Sequence, residues 1–179
     1  KKNKKIKKTI FNKYQKLLRL RKKIQEKLEV SIINRGKEIT IKGNPEDEFI
    51  ALQILDALEM GFPIEIAMKI TKEDVSFERL NIKNYTKRKN LEAIRGRIIG
   101  KDGAALRTMS EISDCAIELK DNKIGIIGNV ENIRIAESAV VSLIQGSKHA
   151  TVYSYLEKRR PEPVVDIGLK EEFKNSLKE

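Results

Sequence analysis

The stretch Arg95-Gly-Arg-Ile-Ile-Gly-Lys-Asp-Gly-Ala-Ala-Leu-Arg107 combines two glycines three residues apart with several basic side chains. Gly100 and Gly103 lack the Cβ atom that would keep another chain away from the backbone. A helical apolar pattern begins directly after them, and the free N–H groups at the start of a helix favour anionic oxygens. The stretch therefore predicts a loop over which a sugar-phosphate chain can lie.

Ten residues of this stretch form the predicted RNA-binding site. They are Arg95, Arg97, Ile98, Ile99, Gly100, Lys101, Asp102, Gly103, Ala104 and Arg107. Backbone amides around the two glycines are expected to hold phosphate or sugar, while the lysine and the arginines add positive charge. One isoleucine should pack in the core and the other should form the floor of an apolar groove for bases. The alternative, an ordinary tight turn between two helices, explains neither the isoleucines nor the arginines.

The elements around this loop follow a recognisable order. A strand-like run at 91–96 leads into the loop, and a helix follows it. Strands are predicted at 115–119 and 123–128, and a last helix at 130–145 lies between an N-cap asparagine and a terminating glycine. This order and the motif IIGKDG resemble the type I KH domain, whose loop clamps about four nucleotides of single-stranded RNA.

The composition is that of a folded, heavily charged protein. The 179 residues are 40% hydrophobic and 35% charged, which allows one medium domain or two small ones. No run is apolar and long enough to predict a membrane span. A single cysteine, Cys115, excludes an intrachain disulfide and fits a reducing compartment, so we expect a cytoplasmic location.

The positive charge is concentrated in two segments. The net charge is +11, and residues 1–23 alone hold twelve Lys or Arg and no acid, so the rest of the chain is slightly acidic. A second excess spans 87–107, with seven basic residues against Glu92 and Asp102. A solvated lysine face is the usual meaning of a charge run. Two positive segments on an otherwise acidic chain favour a nucleic-acid partner instead, through counterion release.

The first half of the chain repeats in the second at an offset of 85 residues. Residues 39–46 read ITIKGNPE and residues 124–131 read IGIIGNVE. The register continues to Gly61 and Gly146, so two copies of one module are predicted. The match fails at the loop, because positions 100–103 correspond to Gln-Lys-Leu-Leu at 15–18. The first copy should therefore lack the clamp and serve a structural or protein-binding role.

The predicted fold class is α+β, with tandem type I KH domains (βααββα twice), the first lacking GxxG, plus connector helices and a C-terminal helix. The chain divides into a degenerate KH domain with a basic arm (1–61), a helical connector (62–86), a KH domain with the GxxG loop and a final helix (87–160), and a tail (161–179). In the connector, Pro63 starts a short helix through Ile70, and Thr71 with Asp74 resembles a capping box for another. Apolar residues nearly encircle the helix predicted at 45–60, so we expect it to pack against the second copy.

These features together are similar to the archaeal form of the Partner of Nob One family, small-subunit ribosome-assembly proteins with two KH domains. The matching features are the degenerate first copy, Gly61-Phe62 followed by Ala67, GRIIGKDG, and the run Ser147-Lys-His-Ala-Thr-Val-Tyr153. The resemblance implies binding near the 3′ end of small-subunit ribosomal RNA during maturation. It also implies partnership with the Nob endonuclease and with the alpha subunit of translation initiation factor two.

The sequence contains no constellation typical of an enzyme, and we predict no cofactor, metal or small-molecule substrate. Cys115 alternates with Ile117 and Leu119 in a predicted strand and is expected in the core, and His149 should cap or pack. Tyr153 and Tyr155 are assigned to helix packing before base stacking. Two rival functions stay open: a general KH-type regulator or RNA-decay accessory factor, and a nuclease.

Overall fold

The computed structural model describes residues 14–35 and 38–159, and the predictions for the basic arm at 1–13 and for the tail at 161–179 lie outside them. The helices and strands of the described residues are α1 (Tyr14–Lys27), β1 (Ser31–Arg35), β2 (Glu38–Lys42), α2 (Pro45–Met60), α3 (Ile64–Ala67), β3 (Val75–Asn81), α4 (Leu91–Ile99), α5 (Ala104–Ser113), β4 (Ala116–Lys120), β5 (Lys123–Asn129), α6 (Val130–Gln145) and α7 (His149–Arg159). Single 3₁₀ turns follow α3, β3 and α4.

The second half is built on a three-stranded antiparallel sheet in the order β3-β5-β4. Apolar side chains of α4, α5, α6 and α7 pack on one face of this sheet in a single core, which includes Ile98, Met109 and Leu143. The element order from β3 to α6, with a GxxG loop between the first two helices, is that of a type I KH unit. The predicted α+β class with a KH-type fold is confirmed.

The strand predicted at 91–96 is wrong, because this segment belongs to helix α4. The side chain of Asn90 caps the helix by accepting the Ala93 N–H at 3.0 Å. Ile94 and Ile98 lie one turn apart and are both buried, which is the helical and not the strand period. Residues 91–96 are few and mix apolar with polar side chains, so their pattern alone does not distinguish a helix from a strand.

The helix predicted after Thr71 is also wrong, because strand β3 forms there. The Thr71 hydroxyl donates to the Met68 carbonyl at 2.9 Å, in the preceding turn, and does not cap a helix. All seven residues of β3 pair with β5, so a long-range ladder overrides a local capping signal. The second KH unit therefore begins inside the segment assigned to the connector, and the division into domains stays a prediction.

The repeat is visible in the backbone as well as in the sequence. The starts of β1, β2 and α2 each lie 85 residues before the starts of β4, β5 and α6. A Cβ added at Gly43 would lie 2.9 Å from Val30 Cγ1, and one added at Gly128 would lie 2.6 Å from Cys115 Sγ. Both pairs are related by the same offset, so the two halves share the local packing that requires a glycine at the end of the hairpin's second strand.

The first half has no loop at the positions that correspond to GxxG. Helix α1 runs unbroken through residues 15–18, and Arg21 stays within it by donating from Nε to Gln25 Oε1 at 2.7 Å. Within the described residues this half consists of a helix, two strands and a helix, and its sheet has two strands. The missing clamp is confirmed, whereas a second complete βααββα unit is not formed by the described residues.

The two halves meet on the face of the β3-β5-β4 sheet opposite α4–α6. The rings of Phe62 and Phe77 pack edge to face with centroids 6.1 Å apart. A Cβ at Gly125 would lie 2.7 Å from Phe62 Cε2, so β5 leaves room for this ring. Across the same junction, Asp56 Oδ2 on α2 lies 3.8 Å from Arg79 Nη1 on β3. The predicted packing of the second helix of the first copy against the second copy is confirmed.

Candidate nucleic-acid interface

Gly100 ends helix α4 in a backbone conformation that only glycine adopts readily. Its φ and ψ are 74° and −179°, and its N–H donates to the Gly96 carbonyl at 2.8 Å. A Cβ at this position would lie 2.6 Å from the Ala105 Cβ and 2.7 Å from the Ala105 nitrogen. Conformation and contact therefore both require glycine where the chain turns from α4 into α5.

Gly103 caps the start of α5 with a φ of 78°, and no atom lies within 4 Å of the place where its Cβ would be. The space beside this backbone is open. Asp102, between the glycines, also has a positive φ of 52°, and its carbonyl accepts a hydrogen bond from Arg107 Nη2 at 2.8 Å. Arg107 thus shapes the loop while its charge stays at the surface.

The two isoleucines before the loop differ in exposure, and the predicted groove for bases stays a prediction. Ile98 is completely buried in the core, whereas Ile99 is 36% exposed directly beside Gly100. Lys101 and Ala104 are exposed at the two ends of the loop. The structure therefore brings together an open backbone, a lysine and an apolar surface at one loop.

Arg95 links α4 to the turn between β4 and β5. Its Nη1 donates to Asn122 Oδ1 at 3.1 Å. A guanidinium group has five N–H donors, so this bond fixes the side chain and leaves donors for another partner. Asn122 was not among the predicted site residues, although its position in the turn at 120–122 was a signal that could have pointed to it.

Arg97 is placed differently from the prediction. Its Nη2 donates to the carbonyls of Gly146, at 3.1 Å, and of Ser147, at the junction of α6 and α7. His149 Nε2 lies 2.9 Å from the Arg97 carbonyl, so both the side chain and the backbone of Arg97 contact this junction. Within the described residues the Arg97 Nε is buried without a partner. Arg97 therefore fixes α4 to the end of α6, and its role in RNA binding stays a prediction.

Cys115 lies in the core as predicted. It is 4% exposed, and burial raises the pKa of its thiol to about 11. The thiolate, which is the nucleophilic form, is scarce at neutral pH for such a group. Over the residues that the structure describes, no cluster of three or more His, Cys, Asp or Glu could hold a metal ion. No helix in those same residues has the length and apolar character of a membrane span.

Comparison with known proteins identifies the family. Residues 76–161 match the model of the second KH domain of PNO1, described as "Eukaryotic type KH-domain (KH-domain type I)". The KH domain-containing protein MJ0443 of Methanocaldococcus jannaschii is 30% identical over 148 residues, which cover 79% of this chain and 65% of that protein. The pre-rRNA-processing protein PNO1 of Yarrowia lipolytica is 34% identical over 158 residues, covering 83% and 58%.

A solved structure agrees with this assignment. A chain in the crystal structure of an a/eIF2alpha-aDim2p-rRNA complex from Pyrococcus horikoshii OT3 matches with a TM-score of 0.72 and 29% identity, over 89% of this chain and 90% of that one. The chain belongs to the archaeal PNO1/Dim2 family. It spans less than two thirds of the length of the two curated relatives above, 65% of MJ0443 and 58% of the Yarrowia protein. The range matched by the PNO1 model begins within β3 and contains the whole loop at 100–103.

Proposed function

We propose that this PNO1/Dim2 protein is a non-catalytic RNA-binding protein that holds single-stranded RNA at the 3′ end of small-subunit ribosomal RNA during ribosome maturation. One observation carries the proposal: the loop from Gly100 to Gly103 presents open backbone at positive φ between two helices of a KH unit. A sugar-phosphate chain can approach this backbone closely, and the start of α5 favours its negative charge.

The residues around the loop supply the other contacts. Lys101 adds a mobile charge at the phosphates, and Arg95 and Arg107 are fixed close to the loop by their bonds to Asn122 and Asp102. Ile99 gives bases an apolar surface at the end of α4. No proton has to move for this function, since the bound RNA is kept in an unpaired form for a separate processing enzyme.

The names of the relatives support the ribosomal assignment. One relative is a pre-rRNA-processing protein, and a structural neighbour was solved in a complex with rRNA and a/eIF2alpha. We include the alpha subunit of initiation factor two as a protein partner on that ground. The Nob endonuclease is included on the family resemblance alone. Purified partners tested for binding to this chain by calorimetry would check both assignments.

The decisive experiment measures binding of a labelled RNA that covers the small-subunit 3′ end. Lys101→Asp should weaken binding roughly tenfold to a hundredfold, since a charge-assisted contact is worth about 1.5–3 kcal/mol. The melting temperature should stay nearly constant because Lys101 is exposed. Fluorescence anisotropy and a thermal melt of the same sample give both quantities.

Lys158→Asp is the matched control, because it reverses the same charge at an exposed site on α7. This variant should keep the affinity for RNA within about twofold of wild type. A surface charge away from the bound RNA acts on it only through an electrostatic field that salt screens. Equal losses for the two variants would show that the loop has no special role. Recovery of scattered messenger RNA, and not ribosomal RNA, with the protein from cells would contradict the ribosomal assignment.

A further inference from the structure

A small cavity lies between helix α4 and the end of helix α6. Its volume is about 280 Å³, which is room for one side chain and less than most small-molecule sites need. The residues that line it come from the start of α4, its last turn and the last turn of α6: Arg88, Asn90, Ala93, Ile94, Arg97, Leu143 and Ile144. The loop at 100–103 does not contribute to it, and neither do Arg95 and Ile99 of the proposed RNA site.

Two arginines and no acidic residue line this cavity. Arg97 Nη2 donates to the Gly146 carbonyl at 3.1 Å, and Arg88 Nη2 lies 3.3 Å from the place where a Gly146 Cβ would be. The two guanidinium groups therefore meet at the carbonyl end of α6, whose dipole offsets part of their repulsion. The salt bridge found among the described residues joins Asp56 and Arg79, so neither arginine is paired with a carboxylate of that part of the chain. The cavity is left with an excess of positive charge.

Arg97 also has a donor without an acceptor. Its Nε is the buried side-chain nitrogen that lacks a hydrogen-bond partner within the described residues. An unpaired buried donor on a charged group is costly, and a carboxylate that reaches this guanidinium group from the cavity offsets the cost. Arginine suits such a ligand, because its planar fork of donors matches the two oxygens of a carboxylate.

The floor of the cavity is aliphatic and comes from Ile94, Leu143 and Ile144. The Asn90 amide oxygen accepts the Ala93 N–H at 3.0 Å, so it is occupied by the cap of α4. A nucleobase placed here would leave its polar edge against aliphatic side chains, whereas an apolar side chain would be buried favourably. The floor and the arginines together favour a protein segment over RNA.

The basic segment at 87–107 has a part that the proposed RNA site does not use. Lys87, Arg88 and Lys89 are exposed directly before α4. The loop lies at the other end of this helix, whose 9 residues span roughly 13 Å. These three charges add long-range attraction for an acidic partner at the cavity.

We propose that this cavity docks a partner protein through an acidic segment that carries one apolar side chain. The apolar side chain enters the cavity, and the flanking carboxylates bind the guanidinium groups of Arg88 and Arg97. This surface is separate from the proposed RNA site, because Arg97 and Ile99 lie two positions apart on α4 and so point to nearly opposite sides. RNA and the protein segment can therefore be bound at the same time.

The test uses a capped peptide of sequence EDLED and two matched peptides, QNLQN without the charges and EDSED without the apolar side chain. In isothermal titration calorimetry EDLED should bind with a dissociation constant of about 1 mM or below, and each matched peptide at least about fivefold more weakly. Arg88→Gln should weaken binding of EDLED about fivefold, because it removes a charged donor. Ala93→Leu fills the cavity without changing the charge and should weaken binding at least about tenfold.

Both altered side chains are exposed, so both variants should fold. Lys123→Gln is the matched control, because it removes one positive charge from an exposed residue of β5 that does not line the cavity. It should change the affinity for EDLED by less than about twofold, since its field at the cavity is screened by salt.

A direct measurement is the ¹⁵N spectrum of the wild-type protein, in which the Arg97 Nε–H signal should shift when EDLED is added. A short RNA that fills only the loop should leave that signal in place. Failure of EDLED to bind, or equal binding of the three peptides, overturns the docking site while the RNA function stands. A loss of RNA affinity in Ala93→Leu with unchanged peptide binding would assign the cavity to RNA and overturn the proposal as well.

Discussion

At the residue scale, the two glycines of the loop do different work. Gly100 occupies a region of φ and ψ that is almost exclusive to glycine, and its missing Cβ makes room for Ala105. Gly103 is left-handed but faces open space, so only its conformation matters to the fold. The first glycine keeps the two helices close together, and the second keeps the backbone open to a ligand.

The two alanine variants should therefore differ in stability. Gly100→Ala combines strain with a contact at 2.6 Å, and we expect it to lower the free energy of unfolding by about 3 kcal/mol or more. Gly103→Ala should cost about 1 kcal/mol, the price of a left-handed alanine. Urea unfolding followed by circular dichroism measures both, and similar losses would contradict the distinction.

The division between Ile98 and Ile99 could be predicted from sequence, whereas the placement of Arg97 could not. On a strand such as the one predicted at 91–96, residues two positions apart share one face, since side chains alternate. On the helix that forms, a residue two positions away points to nearly the opposite side. Arg97 therefore faces the α6–α7 junction, a placement that could not be read from the sequence, while its role in RNA binding stays a prediction.

At the element scale, the sequence signals that worked are local ones. The N-cap at Asn129, the proline at the start of α2 and the glycines after α2 and α6 all lie within a few residues of the helix end that they mark. Strand β3 was missed because its partner β5 lies about 50 residues further along the chain. The repeat, the missing clamp and the loop were found from the sequence itself.

The junction between α4 and the end of α6 gives a prediction at this scale. Arg97→Met removes the bonds to Gly146 and Ser147, so the free energy of unfolding should fall by about 2 kcal/mol. The salt dependence of RNA binding should not change. Lys101→Met should do the reverse. It should reduce the magnitude of the slope of log binding constant against log salt concentration by about 0.7, with little effect on stability.

Anisotropy titrations at several salt concentrations, with denaturation of the same proteins, separate the two cases. A reduced salt slope with unchanged stability for Arg97→Met would mean that this arginine contacts phosphate after all.

At the scale of the whole molecule, the β3-β5-β4 sheet is covered on both faces. Helices α4–α6 lie on one side, and Phe62 with α2 lies on the other, against Gly125 and Phe77. The central strand β5 is buried from Ile124 to Ile127 as a result. The apolar surface of α2 predicted this contact, and the two halves should unfold together because the first half packs directly on the sheet of the second.

Phe62→Ala should lower the free energy of unfolding by about 3–5 kcal/mol, since it empties a space between the halves. Phe49→Ala is the matched control, because this phenylalanine lies on α2 and is 60% exposed. It should change stability by about 0.5 kcal/mol at most. Scanning calorimetry should show one transition for the wild-type protein, and two well-separated transitions would contradict the coupling.

The unbroken path of α1 through residues 15–18 has a consequence for valency. A tandem of two equal clamps would let one chain grip two strands, or one strand in two registers. Within the described residues the glycine loop between two helices occurs once, so we expect a titration of short oligonucleotide to saturate at one equivalent per chain. We also expect a bound RNA to have one orientation relative to the other half, so that each end of the strand is always offered to the same side of the protein.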